Sequence, residues 1–187
     1  PRRGHPDRSS TDRVWVVDPL DGTREFAEPP RTDWAVHVAL AEAGRPTAGA
    51  VALPGMGLTL STAEPPTSSA LPPIPTRPRI VVSRTRPAIE ALAVADALGA
   101  DLVEMGSAGA KAMAVVRGEA DAYVHTGGQH EWDSCAPVAV ALAAGLHATR
   151  VDGSPLAYNR ADPYLPDLVV CRTELAGRIL TTLASLA

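Results

Sequence analysis

Residues 15–23 read Trp-Val-Val-Asp-Pro-Leu-Asp-Gly-Thr, and this stretch decides the fold and the candidate chemistry of the chain. The apolar run has the composition of a short buried strand, and it ends abruptly at Asp18 and the proline after it. Side chains that follow a strand emerge at a sheet edge, the usual place for sites in α/β proteins. The proline fixes one backbone dihedral angle and Gly22 permits an unusual one. We therefore expect Asp18, Asp21 and the Leu20 carbonyl to converge as three oxygen donors.

This oxygen-rich turn has two interpretations. Two close carboxylates repel each other unless one takes up a proton or a cation neutralises them, and all-oxygen ligation suits Mg²⁺ or Mn²⁺ rather than zinc. The backbone N–H groups of Gly22 and Thr23 could then receive an anion such as phosphate beside the metal. Alternatively, the segment is an ordinary Asp-Pro turn with a helix cap. The segment alone favours neither interpretation.

A third carboxylate, Asp133, follows a second transition from strand to loop, 112 positions downstream of Asp21. It lies in residues 131–137, which read Glu-Trp-Asp-Ser-Cys-Ala-Pro, at the predicted start of an apolar helix. Aspartate at a helix start is also a good cap and interacts well with the helix dipole. The residue is therefore a candidate metal ligand or a helix cap.

Residues 106–111, Gly-Ser-Ala-Gly-Ala-Lys, form a third candidate segment. Small residues before a helix let a ligand approach the backbone, Ser107 can donate a hydrogen bond, and Lys111 offers a point charge for a phosphate. The spacing matches neither a phosphate-binding P-loop nor a serine-hydrolase elbow. Lys111 is the single lysine among seventeen basic residues, which favours a function over a solvated position. Arg84 and Arg86 could bind phosphate or simply face water.

The pattern of elements predicts an α/β fold in two parts. Residues 1–78 are rich in short strands, and they end in a linker, residues 63–78, in which six of sixteen residues are proline. Proline can neither pair inside a sheet nor continue a helix. Residues 79–187 alternate strand and helix, which implies a layered α/β core.

Two local expectations concern packing. Residues 1–13 are polar and lack hydrophobic periodicity, which predicts a mobile lead-in. The first helix of the second part carries Ile89, Leu92 and Leu98, and the last helix carries Leu175, Ile179, Leu183 and Leu186 on one stripe. Together with the predicted buried strand at residues 14–17, they define where the sequence places the core.

Composition excludes several classes of protein. The chain has 187 residues, of which 45% are hydrophobic and 20% charged, so it is not disordered and can bury a sizeable core. A net charge of −4 argues against binding a nucleic-acid polymer, and no apolar run reaches the roughly 18 residues that a membrane span needs. Cys135 and Cys171 form neither a disulfide framework nor a metal-finger pair, which predicts a cytoplasmic location. Both cysteines and His37 are expected to be core residues.

Taken together, residues 15–23, residues 132–133 and residues 152–159 (Asp-Gly-Ser-Pro-Leu-Ala-Tyr-Asn) resemble the inositol monophosphatase superfamily. Separated motifs in the correct order make the resemblance specific, and it covers nearly the whole chain. Within the superfamily, Glu25 and its neighbours resemble the CysQ-type 3'(2'),5'-bisphosphate nucleotidases, because inositol phosphatases usually carry asparagine where Glu25 stands.

The resemblance implies a layered αβαβα sugar-phosphatase fold, two or three Mg²⁺ ions and inhibition by lithium. It also implies a small phosphorylated substrate: the 3'-phosphate would be removed from 3'-phosphoadenosine 5'-phosphate in sulfate assimilation, giving AMP. Residue by residue, the implied roles are metal ligation by Asp18, the Leu20 carbonyl, Asp21 and Asp133; catalysis by Asp21 and Thr23; and substrate binding by Gly22, Thr23, Ser107, Lys111 and Asp133. Related enzymes are often dimers, so a homodimer is compatible with the resemblance.

The N-terminal part of the sequence departs from the family pattern. Members normally carry a helical N-terminal segment and a Glu-Glu pair that completes the first metal site, and neither precedes Val14. We therefore expect an incomplete copy of an active parent enzyme, without its N-terminal helical part. Two alternatives stay open: an inositol-1-phosphate or fructose-1,6-bisphosphate phosphatase of the same superfamily, and a non-catalytic binding or regulatory relic.

Overall fold

The computed structural model describes residues 6–186 of the chain. In this range two sheets alternate with two layers of helices. The first sheet packs on a pair of helices, these helices pack on the second sheet, and two further helices cover the far side of that sheet. The architecture is therefore the layered α/β type that the alternating sequence pattern predicts.

The first sheet is antiparallel and has the strand order β1-β2-β3-β4. Its strands are β1 (Arg13–Asp21), β2 (Ala35–Glu42), β3 (Arg45–Leu53) and β4 (Leu58–Ser61). Strands β3 and β4 form a hairpin, with Leu53 paired to Leu58 across the turn. Consecutive strands pair directly, because short connections favour antiparallel neighbours.

The second sheet is mixed and has the strand order β6-β5-β7-β9-β8. Its strands are β5 (Arg79–Ser83), β6 (Asp101–Met105), β7 (Ala122–His130), β8 (His147–Thr149) and β9 (Tyr164–Cys171). Strand β5 runs parallel to β6 and β7, while β9 runs antiparallel to β7 and β8. The sequence did not predict β8, whose three residues are too few to show a period.

The helices are α1 (Thr23–Phe26), α2 (Ile89–Leu98), α3 (Ala108–Val116), α4 (Glu131–Ala143) and α5 (Thr173–Ala184). Helices α3 and α4 lie between the sheets and are buried on nearly every side, as expected of helices that are apolar all round. Helices α2 and α5 pack on the opposite face of the second sheet. The order of layers from β1 onward is therefore sheet, helices, sheet, helices.

The outer face of the first sheet is exposed in the described range. Trp15 is 68% exposed, Val17 49% and Val38 39%, so the prediction that β1 is buried is wrong for its outward side chains. The reason is that successive side chains of a strand point to opposite faces of the sheet, and only the inward ones, such as Val16, pack against the core. The four layers within residues 6–186 correspond to the last four of the implied αβαβα order.

Helix α2 packs on the second sheet through Ala91, Val94, Ala95 and Leu98, whereas Ile89 is 76% exposed. In α5 the predicted stripe is confirmed for Leu175, Ile179 and Leu183, which are buried. The fourth residue, Leu186, is 51% exposed and follows the end of the helix.

Residues 6–13 are attached to the fold, which corrects part of the predicted mobile lead-in. Residues Pro6–Ser10 form a 3-10 turn, and Arg8 donates hydrogen bonds to Asn159 Oδ1 at 3.1 Å and to the Arg160 carbonyl at 2.6 Å. The remainder of the predicted lead-in, residues 1–5, lies outside the described residues.

The proline-rich segment crosses from the first sheet to the second and rests on the second half of the chain. Ser68 N donates to the Ala144 carbonyl at 2.9 Å, and Arg172 Nη1 donates to the Pro72 carbonyl at 2.8 Å. One continuous core includes side chains of both sheets. The division into residues 1–78 and 79–187 stays a prediction.

The two cysteines and His37 are buried, as predicted. Cys135 and Cys171 are free thiols, and burial raises the pKa of each to about 12, so neither is a reactive thiolate near neutral pH. Among the helices within residues 6–186, none combines the length and the apolar character needed to cross a membrane.

Candidate metal and phosphate site

The turn after β1 has the shape that its residues predict. The register of β1 against β2 is interrupted between Asp18 and Asp21, and both carboxylates are buried. Gly22 has φ 81° and ψ 45°, a left-handed conformation that costs glycine little, and it starts the short helix α1. The Leu20 amide donates to Asp18 Oδ1 at 3.1 Å, and the Thr23 hydroxyl makes a long 3.4 Å contact with the Leu20 carbonyl.

Asp133 joins these two carboxylates in space. One oxygen from each of Asp18, Asp21 and Asp133 lies within 4.8 Å of the others. Asp133 is the third residue of α4 and accepts a hydrogen bond from the His130 amide at 2.7 Å, so its capping role is also present. The two interpretations of this residue are therefore compatible: one carboxylate oxygen caps the helix while the group still faces the cluster.

The pKa values of the three carboxyl groups reflect burial, hydrogen-bond partners and the charges of their neighbours. Burial, reinforced by the charge of Asp21, raises the pKa of Asp18 and raises that of Asp133 to about 6. Burial also acts to raise the pKa of Asp21, but donors from His37, Ser107 and Gly109 outweigh it and lower the value to about 2. Asp21 is therefore ionised in the interior, and its charge disfavours the ionised forms of Asp18 and Asp133.

Groups from β2 and from the start of α3 surround Asp21. Ser107 Oγ donates to Asp21 Oδ2 at 2.5 Å, the Gly109 amide donates to the same oxygen at 2.7 Å, and His37 Nε2 lies 3.3 Å from it. Burial disfavours a charged His37, yet the Asp21 carboxylate outweighs burial and raises the pKa of the imidazole. The structure thus brings the first and third candidate segments into direct contact.

Lys111 is buried, which excludes the solvated alternative. Its ammonium donates to the Gly106 carbonyl at 2.5 Å and to the Ser107 carbonyl at 2.9 Å. Burial lowers the pKa of Lys111 to about 8. The lysine therefore supports the 106–107 turn from inside, and its charge lies 5.3 Å from the centre of the Tyr123 ring.

The turn at residues 106–107 has a strained backbone, and hydrogen bonds to neighbouring residues hold it in place. Ser107 has φ 23° and ψ 130°, an unfavourable conformation for a residue with a side chain, and its Oγ accepts from the Ala110 amide at 2.9 Å. Asp33 accepts from the Gly106 amide at 2.6 Å and pairs with Arg31. Surrounding contacts of this kind hold a strained residue in place.

Glu25 braces the same turn from the other side. It is buried and accepts from Arg84 Nη2 at 3.0 Å, and Arg84 also donates to Glu28 at 2.9 Å. Arg84 is therefore engaged within the protein and does not simply face water. Sequence reasoning did not assign this role to Glu25 or Arg84; the only signal available was an acidic residue four positions after Asp21.

Two cavities open beside the cluster and share four lining residues, Ser83, Arg86, Ala108 and Lys111. The smaller, about 240 Å³, also reaches Asp21 and Thr23. The larger, about 450 Å³, also reaches Asp133, His125 and the Gly127–Gly128 bulge of β7. The carboxylates therefore adjoin a divided cleft that carries two basic side chains.

Residues 152–159, the third motif, lie away from the carboxylates and serve to hold α4. The Tyr158 hydroxyl lies 3.2 Å from Ser134 Oγ, and the Glu131 carboxylate accepts from the amides of Asn159 at 2.9 Å and Arg160 at 2.8 Å. These contacts occupy Glu131 in the folded chain. The motif therefore fixes the position of the helix that carries Asp133.

Comparisons with known proteins agree with this geometry. The chain matches the model of the inositol monophosphatase family over residues 2–186. It is 54% identical to the 3'-phosphoadenosine 5'-phosphate phosphatase of Mycobacterium bovis, over 95% of this chain and 68% of that protein. It is 32% identical to the 3'(2'),5'-bisphosphate nucleotidase CysQ of Escherichia coli, over 84% of this chain and 67% of that protein.

Solved structures of an inositol monophosphatase and of a CysQ protein are also similar to this chain. CysQ from Bacteroides thetaiotaomicron has a TM-score of 0.72 at 25% identity, over 91% of this chain and 74% of that one. An inositol monophosphatase from Zymomonas mobilis has a TM-score of 0.76 at 21% identity, over 93% and 71%, which is a likeness of fold. This chain belongs to the inositol monophosphatase family.

Proposed function

We propose that this chain is a Mg²⁺-dependent phosphatase that removes the 3'-phosphate of 3'-phosphoadenosine 5'-phosphate and releases AMP. The observation that carries the proposal is the cluster of Asp18, Asp21 and Asp133 beside a divided cleft. The 54% identity to a protein named for this activity supports the choice of substrate. The family and the site therefore point to the same class, the phosphoric monoester hydrolases.

The residues present fit Mg²⁺. All three side chains offer carboxylate oxygens, the ligands that this ion prefers. The raised pKa values of Asp18 and Asp133 indicate uncompensated negative charge, which a bound cation would relieve. We assign metal ligation to these three residues and to the Leu20 carbonyl, with two or three ions as the family resemblance implies.

The reaction is an in-line displacement. Water adds to phosphorus, the bond from phosphorus to the 3'-oxygen breaks, and that oxygen takes up a proton, giving AMP and inorganic phosphate. Bound Mg²⁺ supplies positive charge for the phosphoryl oxygens and makes water more acidic. Asp21 and the Thr23 hydroxyl orient the attacking water, and the amides of Gly22 and Thr23 bind the phosphate.

The two cavities beside the carboxylates form the binding cleft for the nucleotide. Ser107 and Lys111 hold the turn between the two cavities, and Lys111 contributes its charge at their shared wall. Asp133 lines the larger cavity, and there it would hold the metal ion and contact the substrate. Two adjoining cavities with a cation between them suit a substrate that carries two phosphates.

The test is phosphate release in the presence of Mg²⁺ from 3'-phosphoadenosine 5'-phosphate, inositol 1-phosphate and fructose 1,6-bisphosphate. We expect the nucleotide to be preferred, Asp21→Asn to abolish turnover, and the matched control Asp152→Asn, an exposed carboxylate in a turn, to leave it unchanged. A preference of about tenfold for another substrate, equal to about 1.4 kcal/mol in the barrier, moves the assignment to that substrate. Binding of Mg²⁺ and nucleotide without turnover supports the non-catalytic relic.

Three further features belong to the proposal. The chain acts as a homodimer, which light scattering of the purified protein tests. It acts in the cytoplasm, in keeping with its free, buried cysteines. Lithium inhibits it, as the family resemblance implies, and an activity that is insensitive to lithium contradicts this feature.

A further inference from the structure

Two aromatic rings are stacked at the wall of the larger cavity. The ring centroids of His130 and Trp132 lie 4.4 Å apart, and the two ring planes are within 2° of parallel. His130 lines the cavity, whose volume is about 450 Å³, and its side chain is 51% exposed. Because Trp132 covers one face of the imidazole, the exposed part of the ring comprises its other face and its edges.

The stacked pair adjoins the carboxylate cluster. The His130 amide donates to Asp133 Oδ2 at 2.7 Å, and the imidazole Nδ1 lies 4.0 Å from the same oxygen. In a 3'-nucleotide the base and the phosphate are attached to the same five-membered sugar ring. A phosphate held at the cluster therefore places the base within about one sugar width of Asp133, which is where the imidazole lies.

The cavity wall beside His130 includes two glycines. The register of β7 against β9 is interrupted between Thr126 and Gln129, so Gly127 and Gly128 form a bulge. Their φ angles are 92° and 87°, a region that glycine adopts at little cost, and both residues line the cavity. A Cβ atom added at Gly127 would meet no atom within 4 Å. A wall without side chains lets a flat ring approach the backbone closely.

The polar side chains that flank this bulge are engaged within the protein. The Thr126 hydroxyl donates to the Glu90 carboxylate. Gln129 Nε2 donates to the Tyr123 hydroxyl at 3.2 Å, and Gln129 Oε1 is shielded from solvent. A polyol such as inositol loses free energy where its hydroxyl groups find no partners, whereas an aromatic base gains contact by stacking on a ring. This part of the cavity therefore favours a base over a polyol.

We propose that the ring of His130, backed by Trp132, is the stacking platform for the nucleobase of the substrate. The inference rests on the proposed function and makes His130 a residue that determines specificity. Stacking needs no charge on the imidazole, so the neutral ring is sufficient. Removing an aromatic ring from beneath a base costs about tenfold in affinity, equal to about 1.4 kcal/mol. The platform should therefore favour nucleotides over inositol and sugar phosphates.

The test compares two substrates that differ only in the base. They are 3'-phosphoadenosine 5'-phosphate and its abasic analogue, 1-deoxyribose 3,5-bisphosphate, and both are assayed for KM and kcat with Mg²⁺ and for Kd by calorimetry. His130→Ala removes the ring, and His130→Phe keeps an aromatic ring at the position. His147→Ala in β8 is the matched control, a histidine outside both cavities beside the carboxylates. Circular dichroism fixes a temperature at which every variant is folded.

We expect His130→Ala to raise KM for the nucleotide about tenfold with kcat nearly unchanged, because stacking acts equally on the ground state and the transition state. The abasic analogue should keep its KM in this variant. His130→Phe should resemble the wild type on both substrates, and so should His147→Ala.

Three results with an active wild type overturn the inference and leave the proposed function standing. They are an unchanged KM for the nucleotide in His130→Ala, an equal rise of KM for both substrates, and a loss in His130→Phe as large as in His130→Ala. If the wild type binds the nucleotide without turnover, the proposed function fails, and the same comparison made on Kd decides the inference. A wild type that binds neither compound overturns both.

Discussion

Gly106 and Glu25 are packed so closely that a Cβ atom at position 106 would lie 2.1 Å from Glu25 Cγ. The glutamate is buried and is held by Arg84 at 3.0 Å, so it cannot move aside freely. Glycine is needed at position 106 because of this close approach and not because of a left-handed backbone conformation. The contact couples the turn after β1 to the turn that carries Ser107.

Replacing this glycine should therefore destabilise the fold. We expect Gly106→Ala to lower the free energy of unfolding by about 1–3 kcal/mol, the usual cost of overpacking, and Glu25→Ala in the same chain to restore part of it. Urea unfolding measures both. The control is Gly177→Ala in α5, where an added Cβ meets no atom within 4 Å, and which should stabilise by about 0.5–1 kcal/mol. Equal losses at positions 106 and 177 contradict the packing argument.

The carboxylate cluster predicts opposite effects of one substitution with and without metal. The pKa of Asp133 is raised from 3.8 to about 6, so its ionised form costs stability above that pH. At neutral pH and without metal, Asp133→Asn should therefore melt no lower than the wild type, because asparagine can still accept from the His130 amide.

Mg²⁺ should reverse this order. A ligand at 100 times its Kd stabilises the folded state by about 2.7 kcal/mol, so millimolar Mg²⁺ should raise the melting temperature of the wild type and have little effect on Asp133→Asn. Scanning calorimetry with and without chelator provides the measurement. An equal Mg²⁺ shift in both proteins argues against Asp133 as a ligand.

Lys111 predicts a pH dependence of stability. Burial lowers its pKa from 10.5 to about 8, so between these values the unfolded chain holds more protons than the folded one. The free energy of unfolding should therefore rise with pH in this window, by at most about 1.4 kcal/mol per pH unit from this group. Cys135 and Cys171 act in the opposite sense, but equally in a variant that lacks the lysine.

The measurement compares the wild type with Lys111→Met by urea unfolding at several pH values from about 7 to about 10. The wild type should gain stability relative to the variant as the pH rises through this range. A difference between the two proteins that does not change with pH indicates that Lys111 keeps an ordinary pKa.

Arg86 predicts substrate preference, because it lines both cavities beside Lys111. We expect Arg86→Ala to raise KM for 3'-phosphoadenosine 5'-phosphate about tenfold, or about 1.4 kcal/mol of binding, with little change in kcat. Adenosine 3'-phosphate, which carries one phosphate, should be affected less. Steady-state kinetics on both substrates check this, with the exposed Arg178→Ala in α5 as the control. A uniform loss on both substrates would mean that Arg86 does not contact the second phosphate.

The short-range part of the site was predictable. The apolar run before Asp18, the proline after it and the left-handed Gly22 act within a few residues of one another. The structure has the predicted irregularity after Asp18 and the turn at Gly22, but β1 continues to Asp21, beyond its predicted end. The helix that starts near Asp133 was predictable for the same reason, because capping is a local preference.

Contacts between segments that are distant in the sequence were harder to predict. Lys111 looks like a surface residue or a phosphate ligand in a linear sequence, yet its ammonium is turned inward to the carbonyls of the 106–107 turn. His37 reads as an ordinary core residue until the ring is seen between Asp21 and Trp132. Trp15 reads as buried because an apolar run does not show that one face of the sheet is left uncovered within the described residues.

The sequence by itself determined the elements, the turn that carries Asp18 and Asp21, and the family, since backbone preferences and motifs act over a few neighbouring residues. Only the tertiary structure decided that Asp133 would lie with them, because that distance depends on how α4 packs between two sheets. Burial then set the charges: the same residue type has a pKa of about 2 at Asp21 and about 6 at Asp133. The difference arises because groups from β2 and from the start of α3 reach one carboxylate, while burial, followed by repulsion, dominates at the other.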